Sequence, residues 1–229
     1  MPLIGYTPFF IGLGLSLIAQ LIVSLSFRRY NKIASGAGYS GFSTARRLLD
    51  QNGLSSVTIQ QVAGNLTDHF SPREGIMRLS ESTYSSHSIA AVSVAAHETG
   101  HAIQHRDGYK ANKIRSALLL PANIGSMAGP YLAGTGLLLE GSLGLTLVQV
   151  GIAFFASAVL FYLITLPVEF DASRRAIILL EETGILAGDE LKGARRVLRA
   201  AALTYVASAL ASVLYFFRLT AVAGSRRRR

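Results

Sequence analysis

The sequence predicts a mainly α-helical membrane protein, with three or four transmembrane helices and a small α+β lobe on one side of the bilayer. Three observations carry this expectation. Half of the 229 residues are apolar and only 15% are charged, against roughly 25% charged in a typical soluble domain. Residues 3–27, 116–139 and 141–168 contain no Asp, Glu, Lys or Arg, and each run reaches the roughly 20 apolar residues that a spanning helix needs. The polar sequence is gathered instead into residues 28–115 and 168–199.

Residues 1–27 read as a retained transmembrane anchor. The run has no basic segment ahead of it and ends in Phe27-Arg28-Arg29 instead of a small-residue cleavage site, unlike a secretory signal. Residues 28–115 form the first polar segment. Ser43-Thr44-Ala45-Arg46 predicts a helix start, with Leu48 and Leu49 on one face and Gly53 as its stop. Val57 to Val62 is β-branched and partly alternating, a short strand. Leu66–Phe70 and Ile76–Leu79 flank Ser71-Pro72-Arg73-Glu74-Gly75 and predict a hairpin or extended pair. Ser86 and Ser88 offer N-cap hydroxyls to an Ala-rich helix over Ile89–Gln104, which Gly108 ends.

Residues 116–167 then predict a transmembrane hairpin. Its second arm closes on Pro167, which suits the first turn of a new helix running from Val168 to about Thr183 and stopping at Gly184. Residues 168–199 return the chain to the side of the first polar segment. Asp189 is placed to cap a last helix leading into residues 200–229, a C-terminal apolar helix with a basic tail. The run Ala200–Phe217 is uncharged but shorter and richer in Ala and Ser, hence the count of three or four spans.

The net charge of +9 is unevenly spread. Residues 28–115 hold eleven Lys and Arg and residues 168–199 hold six, of 22 in all. The bias of basic loops toward the cytoplasm puts both segments there, with the N-terminus outside. A full crossing by Ala200–Phe217 would put Arg226 to Arg229 outside, against that bias. Topology and anionic headgroups account for the basic charge, and no nucleic-acid motif is present. The chain has no cysteine, which removes disulfides and thiolate metal ligands.

The chemistry lies in the Ala-rich helix, which contains His97-Glu98-Thr99-Gly100-His101. Positions i and i+4 of a helix share a face one turn apart, so two imidazoles can bind one Zn²⁺. Glu98 then lies beside the ion, placed to take a proton from a coordinated water and later deliver it to the leaving amine. The competing account is a buried helix that happens to hold two His and a Glu, but those groups are costly there unless paired or metal-bound. Gly100 costs about 1 kcal/mol in a helix, which points to close packing or to access.

A catalytic zinc needs a third protein ligand. His105 lies eight residues from His97, about 12 Å along a helix axis and too far to share one ion. Glu169 is the candidate, at the end of the third apolar run. The alternative reading of Glu169 is an ion pair with Arg174 or Arg175. Asp171 is the fallback ligand, and otherwise Asp171 or Ser173 could hydrogen-bond a ligating imidazole. Ile76–Leu79 could offer a strand edge to a peptide substrate. Tyr84, His69 and His87 are weaker candidates for stabilising an oxyanion.

Together, Ala95-Ala96-His97-Glu98-Thr99-Gly100-His101-Ala102-Ile103-Gln104 and Glu169-Phe170-Asp171-Ala172-Ser173-Arg174-Arg175-Ala176 resemble the YugP-type membrane zinc metallopeptidases. That group is akin to the HtpX-like and CAAX-prenyl-protease-like zinc peptidases. Ser71-Pro72-Arg73, Arg78-Leu79-Ser80 and the apolar layout of nearly the whole chain extend the resemblance. It implies a zincin-like cytosolic lobe, one zinc per chain on His97, His101 and Glu169, and a catalytic Glu98. HtpX-like members carry Glu-Phe/Tyr-x-Ala-Asp at the third ligand; here Ser173 stands in place of that Asp.

The expected function is a multi-pass cell-membrane zinc metallopeptidase whose active site faces the cytoplasm, acting on a peptide or protein substrate. An intramembrane protease is disfavoured, because Ser80 to Ser88 is crowded with polar residues and no Asp lies in a long apolar run. The alternative from another class is a non-catalytic membrane scaffold with a vestigial or structural metal site, for which Glu98 would have no use.

Overall fold

A computed structural model describes residues 2–227, so Arg228 and Arg229 of the basic tail lie outside the described residues. The elements run α1 (Pro2–Tyr30), α2 (Gly41–Gln51), β1 (Thr58–Val62), β2 (His69–Ser71), β3 (Ile76–Ser80), α3 (Glu81–Tyr84), α4 (Ile89–Arg106), α5 (Lys110–Leu138), α6 (Gly141–Glu182) and α7 (Gly188–Arg227). The chain divides into two units. One takes the start of α1 through Ala19, Lys110–Pro167 and the chain from Thr204; the other takes Gln20–Tyr109 and Val168–Leu203.

In the first unit α5 and α6 pack as an antiparallel pair on glycines. A Cβ on Gly129 would meet the Gly151 carbonyl oxygen at 2.9 Å, and one on Gly136 would meet that of Gly144 at 2.7 Å. Without side chains at these points the backbones come close, as membrane helices do on small residues. On α1, Phe9, Phe10, Leu17 and Leu21 are exposed, a surface suited to lipid and not to water.

Among the described residues three helices are long and apolar enough to cross a membrane, spanning Thr7–Tyr30, Gly141–Glu182 and Gly188–Gly224. The run 200–217, left open by its length, therefore belongs to a helix that qualifies. The run 116–139 forms most of the 29-residue α5 but is not among the three. Pro121, Asn123, Ser126 and Pro130 interrupt its apolar residues, and its glycines serve contact with α6.

Where the sequence predicts a new helix at Pro167, the structure instead places that proline inside an unbroken α6. One lost N–H bond is tolerated in a long helix packed by its neighbours. Beyond the proline, Val168, Ala172, Ala176 and Leu180 recur every fourth residue and are fully buried, so packing holds the helix together across it.

In the second unit α2 begins earlier than expected. Ser40 is the N-cap, and Ser43 closes a capping box with it three residues on. The sheet has the order β1-β3-β2, with β1 parallel and β2 antiparallel to β3. The β2–β3 pair is the expected hairpin, but β3 is not an edge. β1 pairs along its outer side, with Ile59 opposite Met77, because a half-exposed apolar hairpin gains by covering the edge with a third strand. The open edges belong to β1 and β2.

α4 starts on Ser88, whose hydroxyl accepts from the Ala91 N–H, and it is buried almost all round. One cluster joins Val92 and Ala96 to Ala176 and Leu180 of α6 and Leu198 of α7. Another joins Ala95 and Ala102 to Leu49 of α2 and Met77 and Leu79 of β3. A helix apolar on every side belongs in the centre of its unit, and this one carries the His97–His101 pair there.

Candidate metal centre

The site lies within the second unit, where α4 crosses α6. Four-residue spacing on α4 sets His97 and His101 on one face, their ring centroids 4.7 Å apart. A Cβ on Gly100 would lie 2.6 Å from the Ala172 carbonyl oxygen and 3.2 Å from its Cα. The missing side chain lets α6 pass that close, and Glu169, one turn before Ala172, arrives at the imidazoles. Of the two uses considered for Gly100, close packing is the one the geometry displays.

Glu169 Oε2 is 3.3 Å from His97 Nε2 and 3.6 Å from His101 Nε2. One ligand atom from each of the three residues lies within 4.8 Å of the others. Ligands bonded to one zinc at about 2.0–2.2 Å in a tetrahedral array are separated by about 3.3–3.6 Å. Two imidazoles and a carboxylate are also a donor set for a catalytic zinc, so the trio fits that ion in chemistry, and its two histidine–carboxylate separations fit it in spacing. The Glu169 side chain is 3% exposed and the imidazoles 15% and 13%, which leaves the histidine side reachable from solvent.

The Nδ1 atoms turn away from the trio. His97 Nδ1 is 3.2 Å from Ser173 Oγ, and His101 Nδ1 is 3.1 Å from Gln104 Oε1. Asp171, the fallback ligand, meets no imidazole. It pairs with Arg174 and, at 2.6 Å, with Arg175, and accepts a hydrogen bond from Gln104. The arginines considered as ion-pair partners for Glu169 are thus engaged by Asp171. Arg175 also reaches Asp107 at 2.8 Å and holds its carboxyl below the usual range.

Glu98 is buried beside the pair. Burial pushes its carboxyl up to about 7; the Glu169 and Asp68 charges push the same way, while His97 and a hydrogen bond from the Phe70 backbone N–H pull down. Phe70 belongs to β2, so an open edge of the sheet lies against this carboxylate.

The remaining candidates are engaged elsewhere. His69 Nδ1 lies 2.9 Å from the Thr67 carbonyl oxygen and His87 Nδ1 2.8 Å from that of Gly38. Tyr84 packs on Phe42 with ring centroids 5.0 Å apart. His105 sits in the last turn of α4, its ring 6.1 Å from Phe70. Sequence reasoning assigns no role to Gln104 or Phe70. The spacing of three from His101 was a signal for Gln104; a backbone N–H from a distant strand leaves none.

Comparison with known proteins agrees with this geometry. Residues 6–224 match the model of a family described as "Putative neutral zinc metallopeptidase". The chain is 46% identical over 210 residues, 92% of each chain, to the "Putative membrane protease YugP" of Bacillus subtilis (strain 168). No solved structure matches it.

Proposed function

From the premise that this chain belongs to that neutral zinc metallopeptidase family, we propose that it is a membrane-bound endopeptidase with a zincin-like lobe holding one zinc on His97, His101 and Glu169. The observation that carries the reading is the convergence of His97, His101 and Glu169, with ligand atoms within 4.8 Å of one another, beside a buried Glu98. Zinc bound there supplies an acidified water and polarises the scissile carbonyl.

The protein's own groups do the rest. Glu98 takes the proton of the attacking water, and its burial lets it hold that proton at neutral pH until the leaving amine needs it. The Phe70 N–H orients the Glu98 carboxylate. A peptide or protein substrate lies along the open edge of β2, where the Phe70 carbonyl oxygen can accept from its main chain while the Phe70 N–H stays with Glu98, which suits broad sequence tolerance. The basic segments 28–115 and 168–199 put the site on the cytoplasmic face, and the bilayer is the protein's other partner.

Zinc content and proteolysis of the purified protein and of Glu98→Gln test this. One zinc per chain in both, with cleavage only by the unsubstituted protein, is the expected result. Zinc without cleavage in either leaves the scaffold alternative; no zinc in either removes the metal centre.

A further inference from the structure

Gln104 occupies a position whose hydrogen bonds admit one arrangement. It is fully buried, and its side-chain nitrogen lies 2.8 Å from the Val168 carbonyl oxygen and 3.0 Å from Asp171 Oδ2. A carbonyl oxygen and a carboxylate already paired with Arg174 and Arg175 can only accept. The amide NH₂ of Gln104 must therefore face α6, and its oxygen must face His101 Nδ1, at 3.1 Å. An amide oxygen cannot donate, so Nδ1 must carry the proton. In a neutral imidazole that leaves the lone pair on Nε2, the nitrogen 3.6 Å from Glu169 Oε2.

We propose that Gln104 is a positioning residue that makes Asp171 a remote determinant of metal binding: through the amide, the carboxylate fixes which nitrogen of His101 is free to ligate. The chain of contacts runs His101–Gln104–Asp171–Arg175–Asp107. It begins and ends on or beside α4 and passes through α6, tying the helix that bears both histidines to the one that bears Glu169. His97 has no equivalent. Its Nδ1 partner is the Ser173 hydroxyl, which can donate or accept and so leaves the tautomer free. The two histidines are thus held unequally, with the tautomer fixed at His101 and open at His97. This inference rests on the zinc reading above.

The test is a polarity exchange in the full-length protein. In Q104E the new carboxylate would face the Val168 carbonyl and Asp171 with acceptors only, whereas Q104E/D171N restores a donor opposite that carboxylate and the original charge count. Zinc affinity by chelator competition and the visible spectrum of the cobalt(II)-substituted protein are measured for both, and for the near-isosteric Q104M. Loss of a partner behind a ligating histidine costs about 10–100-fold in metal affinity, so Q104M, which removes the acceptor, and Q104E, whose carboxylate is driven from its place by the Val168 carbonyl and Asp171, should each fall by that much and shift the cobalt spectrum. The double variant should recover most of the affinity and the original spectrum. Wild-type affinity and spectrum in Q104M would overturn the proposal, as would a double variant that binds as weakly, or folds as poorly, as Q104E. Failure of the unsubstituted protein to bind zinc at all would instead count against the metal centre itself.

Discussion

Gly100 of α4 and Ala172 of α6 meet so closely that a methyl group on the first would press 2.6 Å from the carbonyl oxygen of the second. This contact sets the distance between the two imidazoles and the carboxylate. In an isolated helix Gly100→Ala would gain about 1 kcal/mol. Here the backbone clash outweighs it, since overpacking costs roughly 1–3 kcal/mol. The variant should melt lower than the parent and bind zinc at least about 10-fold more weakly. Equal zinc affinity with a raised melting temperature would show that α6 does not depend on this contact.

Glu169→Ala should lose zinc affinity by more than about 100-fold, because it deletes a ligand. Asp171→Ala should keep one zinc per chain with about 10-fold weaker binding, because it acts only through Gln104. Equilibrium dialysis of both separates ligand from support; full-affinity zinc in Glu169→Ala would assign the third position elsewhere.

Glu98→Gln should leave a pH signature on the metal-free protein. The folded carboxyl is raised from 4.5 to about 7 by burial, so its neutral form favours the fold below pH 4.5. As pH rises from there through 7 the unfolded chain ionises first and stability falls. The loss is about 1.4 kcal/mol for each pH unit between those two values, on the order of 3 kcal/mol in all. Gln cannot ionise. The variant and parent should therefore unfold alike in acid, with the variant the more stable above pH 7. A constant difference across pH 4–8 would contradict a buried, raised carboxyl.

Zinc removal should destabilise the parent. A ligand present at about 100 times its Kd adds about 2.7 kcal/mol to the folded state, so chelation should lower the melting temperature by several degrees. Glu169→Ala should show little change on the same treatment, and an equal shift in both would trace the effect to another ion.

The contacts of Gly125 with Phe154, Gly129 with Gly151 and Gly136 with Gly144 make α5 and α6 antiparallel, so Lys110 and Pro167 lie toward one end of the pair and Glu140, in the turn between the helices, at the other. Because the chain lacks cysteine, single substitutions can be labelled without background. Lys110→Cys and Pro167→Cys should react from one side of sealed vesicles and Glu140→Cys from the other. Labelling of all three from one side would mean that the α5–α6 pair does not cross.

Much was legible because it is local. The H-E-x-x-H spacing, the Ser88 cap, the β2–β3 hairpin and the long apolar helices α1 and α6 all follow from patterns within one segment. Legibility ended where a decision belonged to two segments. Pro167 looks like a boundary until Val168, Ala172, Ala176 and Leu180 are seen buried beyond it. Ile76–Leu79 looks like an edge until β1 covers it. In the run 116–139 nothing local shows that Gly125, Gly129 and Gly136 are the points where α6 comes close.

By itself the sequence determined which residues share a helix face and which segments favour a bilayer, because helical repeat and apolar length are properties of neighbours along the chain. Tertiary structure alone decided that Glu169 meets His97 and His101, and that Asp171 reaches only His101, by way of Gln104. Those meetings depend on how near two backbones can come, and that distance was set by the absence of one side chain at Gly100.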